Sequence, residues 1–280
     1  KKYAKKNIYL IDCDIEEPNA KLFLNESKKS YEEIRAITVP IPEINEDACT
    51  LCGLCTKFCQ YNALARVGKV LVFPELCHSC GGCTLVCPEN AIKEIPHAIG
   101  SQTKMNVEYK ENTLRFIEGR LQVGKALAPP IIKEIKKAPF KDAEKESIFI
   151  LDSPPGASCP MTTTIDGVDF TILVTEPTAF GLHDLKIAVE TLRQTKIPFG
   201  VLINRSDSGD NRVVQYCEAE EIPLLLEIKE DMEIAKAYSI GKTIIDTDEN
   251  YLKEFQNVFL LIKEKIEKAS EGWKRRIQKI

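Results

Sequence analysis

Eight cysteines fall within 39 consecutive positions, in two runs of identical spacing. Cys49, Cys52, Cys55 and Cys59 read C-x2-C-x2-C-x3-C, and Cys77, Cys80, Cys83 and Cys87 repeat the pattern, the second run being followed by Pro88. Three thiolates on one tight loop can grip three irons of a cubane, whereas the fourth is displaced and reaches the neighbouring cluster. The spacing therefore predicts two [4Fe–4S] clusters, one held by Cys49, Cys52, Cys55 and Cys87 and the other by Cys77, Cys80, Cys83 and Cys59. Gly53, Gly81 and Gly82 suit loops whose amides must turn toward sulfide. Structural zinc fits poorly, because its sites pair two ligands per loop across a longer gap. A disulfide scaffold belongs to short chains with little core, and this chain has 280 residues of which 44% are hydrophobic. The first run has Gln60 where the second has proline, a minor departure because proline is not a ligand. His78 reads as a solvent-facing modulator.

Between residues 43 and 98 cysteine and glycine replace long apolar periods, and two similar halves follow one another, each closing on Asn-Ala (Asn62-Ala63 and Asn90-Ala91). On both sides the chain reads differently. Residues 7–13 are a continuous apolar run ending in acid, and residues 147–151, 170–174 and 199–203 are three more, with a shorter one at 223–226. Amphipathic stretches at 130–137, 182–194, 211–221 and 251–280 read as helices. Alternation of this kind predicts an α/β fold: a parallel sheet covered on both faces, in two parts over 1–42 and 99–280, with a small α+β module inserted at 43–98. The chain opens on Lys1-Lys2-Tyr3 and reaches its first strand at once, so it reads as a fragment with its beginning removed.

A net charge of −4 supplies no basic field for a phosphate backbone or an anionic membrane, which argues against nucleic acid as a partner. The longest apolar runs fall far short of the roughly 20 residues of a membrane span. Clustered cysteine without a secretory signal points to metal in a reducing cytoplasm.

Acids stand where ligands bind in open parallel sheets, at the ends of apolar strands. In Leu10-Ile11-Asp12-Cys13-Asp14 and in Leu151-Asp152-Ser153-Pro154-Pro155-Gly156, Asp152 is placed to hold Mg2+ through water and Gly156 to give an amide to a γ-phosphate. Asp12 or Asp14 is placed to orient the attacking water. These segments, the doubled cysteine run, Glu176-Pro177-Thr178 and Val201-Leu202-Ile203-Asn204-Arg205 occur in the order seen in P-loop ATPases. The chain resembles the MinD and ParA side of that superfamily, and within it the ATPases that carry an inserted two-cluster ferredoxin domain. That resemblance implies ATP and Mg2+ as cofactors and Asn204 as a contact to adenine. It further implies a nucleotide-switched homodimer and a redox or cluster-receiving protein partner.

The family's glycine-lysine phosphate loop lies between a first strand and a first helix, and none precedes Asn7. The chain as it stands is expected to bind ATP weakly or not at all, and the intact parent to hydrolyse it. Gly119-Arg120-Leu121-Gln122-Val123-Gly124-Lys125-Ala126 satisfies most of the loop pattern. It is set aside because Ala126 has no hydroxyl for magnesium and no apolar parallel strand is read before Gly119.

Cys13 and Cys217 read as core residues, and Cys159, after the Pro-Pro-Gly turn, as packing too. Two functions compete: an ATPase that governs electron flow through the clusters, and a ferredoxin-like carrier without nucleotide chemistry. A third, membrane positioning, would use Trp273, Lys274, Arg275 and Arg276 as a basic helix end, where a solvated terminus is the plainer reading.

Overall fold

The computed structural model describes residues 7–24, 29–109, 112–125, 127–140 and 147–277, with Tyr109, Asn112, Ala138, Phe140 and the last nine described by backbone alone. Lys1–Lys6, Ala126 and the side chains of Trp273 to Arg276 lie outside the described residues. The chain forms two compact units, one of residues 1–21 and 25–154 and the other of residues 22–24 and 155–280.

The first unit is built on a five-stranded sheet. Its elements are β1 (Ile8–Asp12), β2 (Lys29–Ile44), β5 (Ile92–Tyr109), β6 (Asn112–Leu121) and β7 (Ile148–Asp152), in the order β2-β5-β6-β1-β7. Between β2 and β5 lie α1 (Leu54–Phe58), the hairpin β3 (Leu64–Val67) and β4 (Lys69–Val72), and α2 (Gly82–Leu85). β1 runs parallel to both β6 and β7, with Asp12 facing Glu118 on one side and Asp152 on the other. Helix α3 (Ala128–Phe140) covers this sheet. Pro129 and Pro130 sit in its first turn, where a missing N–H costs nothing. Ile131, Ile132 and Ile135 then fall on one face and are fully buried with Ile11, Ile15 and Ile99. The helix comes close because of Gly119: a methyl group there would lie 2.8 Å from Ile15 Cγ2 and 3.0 Å from Ile131 Cγ2.

The second unit holds a three-stranded parallel sheet, ordered β10 (Leu224–Ile228), β9 (Phe199–Asn204), β8 (Thr171–Thr175). Around it stand α4 (Cys159–Ile165), α5 (Ala179–Thr195), α6 (Arg212–Ala219), α7 (Met232–Ser239) and α8 (Asn250–Ile277). Leu185, Val189, Val201, Ile203, Val213 and Cys217 form its core. α8 lies against β10. Among the described residues no helix is long and apolar enough to cross a membrane.

The α/β alternation is as the sequence reads, but the parallel strands are shared between two sheets, and one sheet is mixed. β2 and β5 pair antiparallel over their length, from Lys29↔Val107 to Ile44↔Ile92. β5 meets β6 only from Gly100 onward, so residues 92–99 pair with β2 alone. The result is a two-stranded stalk that leaves the sheet and carries the cysteine module between its strands. The stalk tolerates Pro40, Pro42 and Pro96 because much of its ladder has an open side. One sequence reading needs correction: Gly119 does not lack a parallel strand, since it lies inside β6, which runs parallel to β1. It is still no phosphate loop. The strand continues through Gly119 to Leu121, and Lys125 Nζ is engaged by Glu75 Oε1 at 3.1 Å and His97 Nε2 at 3.0 Å.

Candidate metal centre

The two cysteine runs fold into matching loops. Cys49 and Cys77 are 28 positions apart, and the backbone repeats at that interval. Leu51 and Ser79 both take positive φ, 56° and 55°; Gly53 and Gly81 follow at 77° and 70°, and Asn62 and Asn90 at 54° and 48°. Glycine reaches that conformation freely, whereas Leu51 pays about 1 kcal/mol or more for it. Strain held at the same place in both halves indicates a loop shape fixed by what it encloses. Gly53 and Gly81 then cap the short helices α1 and α2, on which Cys55 and Cys83 lie.

Each loop closes on a cavity. One is lined by Cys49, Cys52, Cys55 and Cys87. The other is lined by Cys59, Cys77, Cys80 and Cys83. Thus Cys59 leaves its own run for the second cavity, and Cys87 leaves its run for the first. Among the described residues no three metal-binding groups converge on a single ion. Apolar side chains make up much of the rest of the walls, Ile44, Leu54, Val70 and Ile92 in the first and Pro40, Phe58, Ala63 and Leu64 in the second, with Glu89 in the first and Ser79 and Glu94 in the second. Burial holds the Cys55 and Cys83 thiols above the ordinary thiol range.

Polar hydrogens aim at this sulfur. Ser79 N donates to Cys77 Sγ at 3.4 Å and Ala91 N to Cys87 Sγ at 3.3 Å. Ser79 Oγ is buried without a partner, and Ser79 lines the second cavity. A sulfide-bearing group there would satisfy it. The residues present therefore fit a cubane in each cavity. His78 is exposed and stacks on Tyr61, ring centroids 3.6 Å apart, at the rim of the second cavity.

The strand-end acids gather in the first unit. Asp12 is 0% exposed, and its two oxygens accept from Asp14 N and Ala20 N, each at 3.1 Å. Burial first, and then the charges of Asp152 and Glu118, push its carboxyl up to about 6 against the two N–H donors. Asp152 is shifted upward as well, by partial burial and by Asp14. Glu118, which sequence reading passed over, is 5% exposed with Oε2 unpartnered and Oε1 3.5 Å from Arg120 Nη2. Nothing in the sequence marked it, because no strand was read around it. Gly156 and Asn204 belong to the second unit, Gly156 in the turn before α4 with φ 83°, Asn204 ending β9. There Arg205 stands 3.6 Å from Glu176, and Thr178 caps α5 by accepting from Gly181 N. Cys13 and Cys217 are buried in the cores, and Cys159 is exposed at the start of α4.

The family described as 4Fe-4S binding domain matches residues 42–65 and 70–93, which makes this an iron–sulfur protein. Uncharacterized protein MJ0578 of Methanocaldococcus jannaschii is 35% identical over 71% of this chain and 67% of its own length. Uncharacterized protein MJ0579 of the same organism is 27% identical over 89% and 85%. The cell division ATPase MinD of Pyrococcus furiosus resembles 94% of the chain and 86% of its own, at 16% identity and a TM-score of 0.49.

Proposed function

We propose that this chain, which belongs to the family of Uncharacterized protein MJ0578 and is an iron–sulfur protein, holds one [4Fe–4S] cluster in each thiol-lined cavity and passes single electrons through the pair to a redox or cluster-receiving protein partner in the cytoplasm. The observation that carries this reading is the crossing of the fourth thiols: each cavity draws three cysteines from one loop and one from the other. Bound clusters supply one-electron chemistry, and the chain supplies thiolates, N–H···S contacts and apolar walls that keep water back. Anaerobic reconstitution should give about eight irons per chain and reducible cubane EPR signals. Two zinc ions in their place would overturn the assignment.

A second reading has its own observation, the register that sets Asp12 and Asp152, at the ends of β1 and β7, beside Glu118 of β6. In it the protein couples ATP to electron flow as a homodimer. Asp152 would hold Mg2+ through water, and Asp12 or Asp14 would orient the attacking water. The full-length protein should then hydrolyse ATP with magnesium, and Asp152→Ala should abolish this while iron content stays full. No magnesium-dependent hydrolysis by the full-length protein would leave the carrier reading standing alone, and hydrolysis unaffected by that substitution would remove Asp152 from the site.

A further inference from the structure

The two cavities are not electrostatic copies of each other. At the interval of 28 that superposes Cys49 on Cys77 and Asn62 on Asn90, Arg66 falls on Glu94. The structure preserves the correspondence. A methyl group built on Gly53 would lie 3.3 Å from Arg66 Nη1, and one built on Gly81 would lie 3.1 Å from Glu94 Oε1. Over the same left-handed glycine, one site carries a guanidinium and the other a carboxylate. Arg66 Nη1 is held there by donating to Leu51 O at 2.7 Å.

The other polar groups do not cancel this difference. Glu89 lines the first cavity as Glu94 lines the second, so the two carboxylates offset one another. Arg66, which stands over Gly53 of the first lining, has no cationic counterpart in the second. Lys125 approaches the second loop through Glu75, but that carboxylate neutralises it at 3.1 Å. Ser79 Oγ can give the second site one neutral hydrogen bond, weaker than the effect of a full charge. His78 is the remaining titratable group at that rim.

We propose that Arg66 sets the order of reduction: the cluster of Cys49, Cys52, Cys55 and Cys87 takes the first electron, and the cluster of Cys59, Cys77, Cys80 and Cys83 the second. This rests on the two-cluster reading above. Each step moves one electron from a low-potential one-electron donor onto one [4Fe–4S]2+ cluster, giving [4Fe–4S]1+, with no bond made or broken. A cation beside the core favours the more negative reduced form, and an anion opposes it. Both side chains are exposed, so water tempers each effect. We expect at least about a tenfold preference of the first electron for the Arg66 site, equal to about 59 mV for a one-electron couple.

The test is an EPR-monitored titration of the reconstituted full chain with dithionite at pH 8.5, above the ordinary histidine range. The unmodified protein should show two one-electron waves. Arg66→Gln should lower the upper wave alone, and Arg66→Lys, which keeps the charge, should leave it in place. Glu94→Gln should raise the lower wave alone and does not depend on the Leu51 anchor. Iron is counted in every sample first. A chain short of iron defeats the two-cluster reading itself. With about eight irons present, coincident waves, or a lower wave that moves in Arg66→Gln, overturn the ordering alone.

Discussion

Replacing Asp12 by asparagine should stabilise the first strand at neutral pH and lose that gain in acid. Asp12 is wholly buried, and its carboxyl is pushed from 3.8 up to about 6, chiefly by desolvation. A folded-state value above the unfolded one means that the folded chain prefers the protonated form. Its contribution is fully present below pH 3.8 and is lost as pH rises through about 6. At about 1.36 kcal/mol for each tenfold change in proton affinity, the ionised carboxylate costs the fold about 3 kcal/mol at pH 8 and about 1 kcal/mol at pH 4.5. Asparagine carries no charge at either pH. It keeps one oxygen where Asp12 uses two to accept from Asp14 N and Ala20 N, so one donor is left facing an amide NH2, at about 1 kcal/mol. That loss is constant with pH. The difference between variant and parent should therefore change by about 2 kcal/mol between pH 4.5 and pH 8, or about 30-fold in opening equilibrium. Native-state hydrogen exchange at the β1 amides reads it directly, with EDTA present so that no cation occupies the acids. A variant-to-parent ratio that stays flat across this range, or rises toward acid, refutes the argument that burial dominates at Asp12.

Cys59→Ala should empty the second cavity although the residue belongs to the first run, and Cys87→Ala should empty the first. Each should leave about four irons per chain, and the EPR signal that survives should differ between the two variants; loss from the residue's own run refutes the crossing. Gly119→Ala should destabilise the first unit by about 1–3 kcal/mol in urea, because its methyl would press on Ile15, Ile131 and Ile135. An unchanged midpoint would mean that α3 does not approach as closely as described.

What could be read in the sequence were the parts with local signatures. The strand at Ile8–Asp12 is a short apolar run, and α5 and α6 show helical periodicity, so each could be placed before pairing was known. The cysteine spacing carried even the crossing of Cys59 and Cys87, because the geometry of a tight three-thiol loop leaves the fourth sulfur outside. The long strands β2 and β5 were not legible. Residues 29–36 are exposed throughout, so Lys29, Glu32, Glu33 and Arg35 bring no alternation of apolar and polar positions. Those charges guard the outer edge of the sheet, and this use of an edge strand removes the pattern that would reveal it. Glu118 went unseen for a related reason, since its meaning comes from lying beside Asp12 in a parallel pair 106 residues away. Arg66 and Glu94 were within reach: laying one half of the repeat over the other sets them face to face.

The stalk gives the proposed coupling a physical route and also a strict condition. Ala91 N donates to Cys87 Sγ, and Ile92 directly after it opens β5. β5 pairs with β6, and β6 places Glu118 beside Asp12. The cluster loop and the strand-end acids are thus joined through a single sheet within one unit, without an intervening linker. A continuous sheet transmits nothing unless some element in it has two arrangements that both ends favour unequally. Binding equilibria then impose reciprocity: if magnesium nucleotide at the acids shifts the cluster potentials, reduction of the clusters must shift nucleotide affinity by the same free energy. Titrating nucleotide against oxidised and reduced protein therefore decides between the two readings of function. Equal affinities would leave β5 and β6 as a mount for the cluster module and nothing more.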